Sequence, residues 1–252
     1  MLLKFSKYQG AGNDFIIVNN EVKLTDDQIK FLCDRHFGVG SDGLMFVGYN
    51  NEKLEVRFNN PDASMSFCGN GSRCAMAYAV HELGANPMDM VFEGFDGDHK
   101  ARFSNNYAQI EMHVEGSVIA VDDFYFVNTG APHAVYKVDD VNILDINEAA
   151  KEARFHEKFQ PIGSNVNFYS ENADGSLSIR TFEKGVENET LACGTGITAC
   201  ALVHEKDNNK KPFHQTIHAK GGTAEVIYKE GILWLGGPAK KVFDGQLKLE
   251  EK

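Results

Sequence analysis

The sequence predicts an α/β (α+β) fold of two pseudo-symmetric halves, each a curved, mainly antiparallel sheet wrapped around a central helix. Three observations lead there. The segment Cys68-Gly69-Asn70-Gly71-Ser72-Arg73-Cys74-Ala75 returns half a chain later as Cys193-Gly194-Thr195-Gly196-Ile197-Thr198-Ala199-Cys200-Ala201, and self-similarity of this kind marks duplicated architecture. The runs at 74–80 and 197–203 are apolar nearly all round, Thr198 excepted, and a helix without a polar face has to be enclosed on every side. Short runs rich in Val, Ile, Phe and Tyr, punctuated by Gly or Asn, supply the enclosing strands.

Those strand runs lie at 2–5, 15–18, 44–47, 54–58, 107–114, 124–127, 177–182, 224–228 and 232–235. A further helix begins at Thr25-Asp26-Asp27-Gln28, a capping box in which the Thr hydroxyl and Gln amide satisfy open backbone donors. Ile29, Leu32, Cys33 and His36 follow at helical spacing, and Gly38 offers a stop. The break between halves is expected near Glu115-Gly116-Ser117. That gives an N-terminal half at 1–116, joined by a C-terminal strand at 242–252, and a C-terminal half at 117–241.

An apolar content of 42% in 252 residues is enough for a substantial core. The net charge of -11 argues against nucleic acid and anionic membranes as partners but leaves a small anionic substrate open. No apolar stretch approaches the roughly 20 residues that span a bilayer, and Met1-Leu2-Leu3-Lys4 lacks the layout of a secretory signal. Five cysteines, an odd number, do not make a disulfide scaffold. The expected location is cytoplasmic, with reduced thiols.

Cys68 and Cys193 each stand where a loop enters a helix, followed by glycines that let backbone amides approach a ligand closely. The open donors and positive dipole end there favour an anion, and thiolate over thiol. A dipole term of roughly 0.3–2 kcal/mol moves a pKa by about one unit, so removing a proton from carbon needs further donors. Cys33, Cys74 and Cys200, inside helices, read as small buried hydrophobes. The C-x5-C and C-x6-C spacings are not those of zinc sites, and Gly69-x-Gly71 lacks the third glycine of a dinucleotide loop. No metal and no cofactor are expected. Asn13, Asn59, Asn60, Asn165 and Asn167 place amides that both donate and accept beside strands, as recognition of an amino acid requires. Asn13-Asp14-Phe15 and Asn165-Val166-Asn167-Phe168 read as a second repeated pair. His133 and Glu183 read as supporting acid or base groups.

Ala11-Gly12-Asn13-Asp14-Phe15, the segment at 68–74 and Glu189-Thr190-Leu191-Ala192-Cys193-Gly194-Thr195-Gly196 together resemble the diaminopimelate epimerase family, over essentially the whole chain and in the family's order. The resemblance implies a cofactor-independent isomerase that interconverts LL- and meso-2,6-diaminopimelate in lysine and cell-wall biosynthesis, commonly as a homodimer. It makes Cys68 and Cys193 the two bases, aided by His133 and Glu183. Asn13, Asn60, Gly69, Asn70, Asn165, Glu183, Lys184, Gly194 and Thr195 would bind the substrate. Three positions depart from the pattern. Ala131 stands for an Asn, Lys184 for an Arg, and Asn60-Pro61-Asp62-Ala63-Ser64 lies one residue closer to its cysteine, leaving Asn59 or Asn60 as the ligand. The rival readings are a proline- or hydroxyproline-type two-cysteine racemase, a phenazine-type isomerase of shared fold, and a thiol redox or ligand-binding protein.

Overall fold

The computed structural model describes residues 1–207 and 211–249. The chain forms two compact units, one from Met1–Ile110 plus the stretch beginning at Gly237, the other from Glu111–Gly236. The first contains β1 (Leu2–Gly10), β2 (Asn13–Asn19), α1 (Asp26–Cys33), β3 (Gly43–Asn50), β4 (Lys53–Asn59), α2 (Gly69–Leu83), β5 (Met90–Gly94), β6 (Gly97–Ser104) and β7 (Tyr107–Glu111). The second contains β8 (Glu115–Val121), β9 (Phe124–Asn128), β10 (Pro132–Lys137), α3 (Ile146–Arg154), β11 (Asn165–Glu171), β12 (Leu177–Glu183), β13 (Asn188–Thr190), α4 (Gly194–His204), β14 (Phe213–Ala219), β15 (Gly222–Lys229) and β16 (Ile232–Pro238). The last strand, β17 (Lys240–Lys248), returns to the first unit. Residues 250–252 of the strand expected at 242–252 lie outside the described residues. At the expected break, β8 runs unbroken through Glu115-Gly116-Ser117.

Within the first unit the strands pair in the order β17-β1-β2-β3-β4-β5-β6-β7, with β2/β3 and β4/β5 parallel and the rest antiparallel. Within the second they pair as β8-β9-β10-β11-β12-β14-β15-β16, with β10/β11 and β12/β14 parallel, while the short β13 also pairs with β12. The two orders are the same strand for strand. Parallel neighbours need a crossover, and a helix supplies one at each: α1 and α3 at the first, α2 and α4 at the second.

The enclosed helices are as the sequence predicts. Every residue of α2 from Gly69 to Ala79 is buried, and the helix packs against β1, β2, β3, β4, β6 and β17. α4 packs against β9, β10, β11, β12, β14 and β15. Without a polar face, neither is stable as an isolated surface helix.

Local signals fare less evenly. The capping box at Thr25 forms, with Gln28 N–H donating to Thr25 Oγ1 and Thr25 N–H to Gln28 Oε1. The helix stops at Cys33, though, not at Gly38, because Asp34 turns extended and its carboxylate accepts the N–H groups of His36 and Phe37. His36 is consequently outside the helix and exposed. The run at 107–114 ends as a strand at Glu111.

The parallel registers correct one repeat. Phe15 lies opposite Gly43 on β2/β3, and His133 opposite Asn165 on β10/β11. Phe15 therefore corresponds to His133, and Asn13 to Ala131; Asn165 corresponds to Gly43. The Asn13 and Asn165 segments are not a repeated pair.

Candidate active site

In the first unit Cys68 caps α2. Its backbone is extended, its C=O accepts the first helical bond from Ser72, and its Sγ accepts the N–H of Gly71 at 3.3 Å. A sulfur in the place of a capping oxygen lies in the positive field of the open helix end. Gly71 is closely packed there: a Cβ would sit 3.1 Å from Met45 Sδ. Behind the cap runs a directed chain of side chains. Arg73 Nη2 donates to Asn70 Oδ1 (2.9 Å), Asn70 Nδ2 to Asn13 Oδ1 (3.2 Å), and Asn13 Nδ2 to Asp42 Oδ2 (2.6 Å). Guanidinium only donates and carboxylate only accepts, so the two ends fix both amides. Asp42 also accepts from Arg35 and from the Asp14 N–H. Asp14, held by Lys7 and Arg35, titrates well below the usual carboxylate range, at about 2, against the opposing desolvation by burial.

In the second unit Cys193 caps α4 in the same extended conformation, with its C=O accepting from Ile197 and its Sγ 3.3 Å from Thr195 Oγ1. Thr195 C=O accepts from the buried Thr129 hydroxyl. Gly196 is tighter still: a Cβ would lie 2.3 Å from Asn167 Oδ1. Asn167 accepts from Thr181 Oγ1 and donates to Ala134 C=O and to His133 Nδ1 (2.9 Å). With Nδ1 accepting, the His133 proton resides on Nε2, which is buried without a hydrogen-bond partner among the described residues. Burial drives its pKa down to about 3, reinforced by the Lys184 charge. A neutral His133 can donate a hydrogen bond from Nε2.

The turn after β12 carries Glu183 and Lys184. Thr190 Oγ1 donates to Glu183 Oε2, and Lys184 N–H donates to Asn165 Oδ1, both at 2.9 Å. Arg154, at the end of α3, grips Glu187 through Nε and Nη2, and Glu187 in turn accepts the Gly185 N–H. Burial and the Arg154 charge both lower the Lys184 ammonium pKa. Arg73 and Arg154 were not singled out by the sequence, since a lone charged residue in a run gives no sign of burial; nor was Asp42, which matters only through its partners Asn13 and Arg35.

Asn60 donates to Ser64 O, Ser64 Oγ and Ser66 Oγ. The same net recurs at Asn172-Ala173-Asp174-Gly175-Ser176 in the β11–β12 hairpin, where Asn172 donates to Ser176 Oγ and Asp174 accepts from the Ser176 N–H and hydroxyl. It is a turn former. Asn59, in contrast, is buried with Nδ2 on Ala63 C=O and no partner for Oδ1 among the described residues. Asn59 is therefore better placed than Asn60 to meet a ligand. Cys33, Cys74 and Cys200 are buried as expected; burial raises all three thiols, Cys74 to about 12. A cavity of about 680 Å3 in the first unit, lined among others by Met1–Ser6, Tyr78 and Asp244, includes none of these groups.

The duplicated α+β unit, a curved sheet around an enclosed helix, is a fold seen in other proteins. Solved structures share it: a phenazine biosynthesis protein of the PhzF family from Enterococcus faecalis (TM-score 0.74, 14% identity, 99% of this chain and 100% of that one), and a hydroxyproline epimerase from Agrobacterium vitis (TM-score 0.70, 16% identity, 99% and 93%). Sequence relatives are nearer. The chain is 35% identical to a diaminopimelate epimerase of Flavobacterium psychrophilum over 96% of its length and 99% of the relative's. It is 35% identical to one of Aquifex aeolicus over 98% and 99%. The profile of the diaminopimelate epimerase family matches residues 5–119 and 125–242. The chain belongs to that family and is an isomerase.

Proposed function

We propose that the protein epimerises LL-2,6-diaminopimelate to the meso form, in lysine and peptidoglycan precursor synthesis, with Cys68 and Cys193 as a thiolate/thiol pair of bases. The observation that carries this is that both cysteines occupy the N-cap of an enclosed helix, each with its helix glycine packed against the sheet. The thiolate removes the α-proton, leaving its electron pair on carbon and in the α-carboxylate. The opposite thiol then delivers its proton to the other face. The first cysteine ends as thiol and the second as thiolate, so the reverse substrate finds the complementary state.

The negative charge that builds on the α-carboxylate is met by backbone amides of the two first helical turns, at Gly69, Asn70, Gly194 and Thr195. One such donor contributes about 2.7–4 kcal/mol, so several supply a large part of the barrier reduction. In this reading Asn13, Asn70, Asn165 and the unpartnered Asn59 Oδ1 hold the ammonium and carboxylate groups, and Asn59 replaces Asn60. Neutral His133 donates from Nε2 while Glu183 and Lys184 address the distal end. No cofactor is invoked; a cytoplasmic homodimer completes the reading.

The test is incubation of the reduced protein with LL-diaminopimelate in D2O. Deuterium entry at one α-carbon with conversion to the meso form is expected. Exchange with proline or hydroxyproline but not with diaminopimelate would transfer the protein to the rival racemase reading.

A further inference from the structure

Arg73 is the largest side chain of the fold with essentially no exposure. It is one turn inside α2, the helix that Cys68 caps. Of its nitrogens, Nη2 donates to Asn70, while Nε and Nη1 have no hydrogen-bond partner among the described residues. No carboxylate pairs with it among the described residues. Its guanidinium lies against the backbone of Gly237, where a Cβ would come within 3.0 Å of Cζ and Nε. Glycine at 237 is what makes room for it.

An unpaired buried cation is costly, and replacing it with an apolar side chain of similar volume is often neutral or stabilising. A residue kept for stability alone would not be an arginine. Desolvation pulls the guanidinium below its ordinary pKa. The titratable groups that act on it in the other direction are Cys74, Cys68 and Tyr107. Cys74 is itself pushed up to about 12 and stays a neutral thiol.

We infer that Arg73 is a positioning residue for the proton transfer. It supplies the positive charge that opposes the Cys68 thiolate, and through Asn70 it fixes the amide orientation of Asn13. This rests on the two-thiol reading above, and it adds that the two thiols are unequal. The position in α4 corresponding to Arg73, five residues after the capping cysteine, is Thr198, whose hydroxyl donates to Gly194 C=O. The arginine therefore biases the resting enzyme towards thiolate at Cys68 and thiol at Cys193.

The experiment compares Arg73→Met and Arg73→Lys with the unaltered protein. It reads three quantities: the urea midpoint, kcat, and the iodoacetamide alkylation rate of Cys68 followed by peptide mass. Arg73→Met is expected to hold or raise the midpoint, lower kcat about 100-fold, and slow Cys68 alkylation at neutral pH about tenfold. Arg73→Lys is expected to restore most of the alkylation rate but not kcat, because one ammonium replaces a planar fork. Near-normal turnover in Arg73→Met, or unchanged Cys68 alkylation in a folded Arg73→Met protein, would overturn the inference. If Arg73→Met does not fold, Arg73→Lys decides: alkylation at the unaltered rate with lowered kcat supports the role, and slowed alkylation overturns it. Alkylation is read without substrate, so failure of the two-thiol reading, shown by an active Cys68→Ala protein, stays separate from failure of this one.

Discussion

The two units share a strand order, yet they place their polar groups on opposite layers. In the first unit the strand positions under the helix are Phe15 and Met45, and the polarity is in the helix, at Asn70 and Arg73. In the second unit the corresponding strand positions are His133 and Asn167, while the helix carries Thr195 and Thr198. One net ends in charges, at Arg73 and Asp42; the other is neutral throughout. Duplication therefore accounts for where the cysteines stand, and later divergence for what surrounds each.

The comparison can be broken most directly at the caps. Cys68→Ala and Cys193→Ala should each lower epimerisation by about 10²–10⁴ or more, measured by conversion of LL-diaminopimelate. Retained turnover in either one would mean the units do not act as a pair. Next in size is an exchange of corresponding residues. His133→Phe, which gives the second unit what the first has, should lower kcat by about 10² while the protein stays folded.

The same variant sharpens a pH effect. Because burial holds His133 near 3 in the folded state against an ordinary value of 6.5, the unfolded chain binds the proton first as pH falls. Its contribution to stability is complete above about pH 6.5 and is lost towards pH 3, by up to about 1.4 kcal/mol per pH unit. Urea midpoints at pH 7 and pH 4.5 should show this slope in the unaltered protein and a shallower one in His133→Phe. An identical slope in both would remove His133 as its source.

A third effect is smaller. Asn59→Ala should cut kcat/KM about tenfold or more, whereas Asn60→Ala should cost about 1 kcal/mol of stability with kcat near normal. The reverse pattern in steady-state kinetics would return the contact to Asn60. The smallest change is expected for Glu187→Gln, which weakens the grip of Arg154 on the turn that carries Glu183 and Lys184. A few-fold rise in KM with kcat retained is expected from a substrate titration.

Most of the fold was legible because its strongest signals are local and repeated. The apolar helices after Cys68 and Cys193 can be satisfied only by enclosure. What escaped was weakly patterned. In β6 only His99, Ala101 and Phe103 alternate inward among polar residues, too few apolar side chains to announce a strand. In α3 the short Ile146–Arg154 segment buries Ile146, Ala150 and Ala153 beneath a charged face. The site was legible at the cysteines, where residue type and spacing carry the chemistry. It was not legible at Arg73 or Arg154, whose importance comes from burial, a property that tertiary packing confers. The Asn13/Asn165 pairing was misread because similar letters at similar spacings do not fix strand register.

The return of β17 to the first unit orders events during synthesis. The second unit is one unbroken stretch of chain and can close on itself as soon as it leaves the ribosome. The first cannot, since β1 pairs along its length with Lys240–Lys248 and the Met1 ammonium donates to Leu249 C=O. Gly237, which covers Arg73, is also made only after the whole of the second unit. The cation beside Cys68 thus stays in water until residue 237 has been made, and the half begun first waits on strands made after the second.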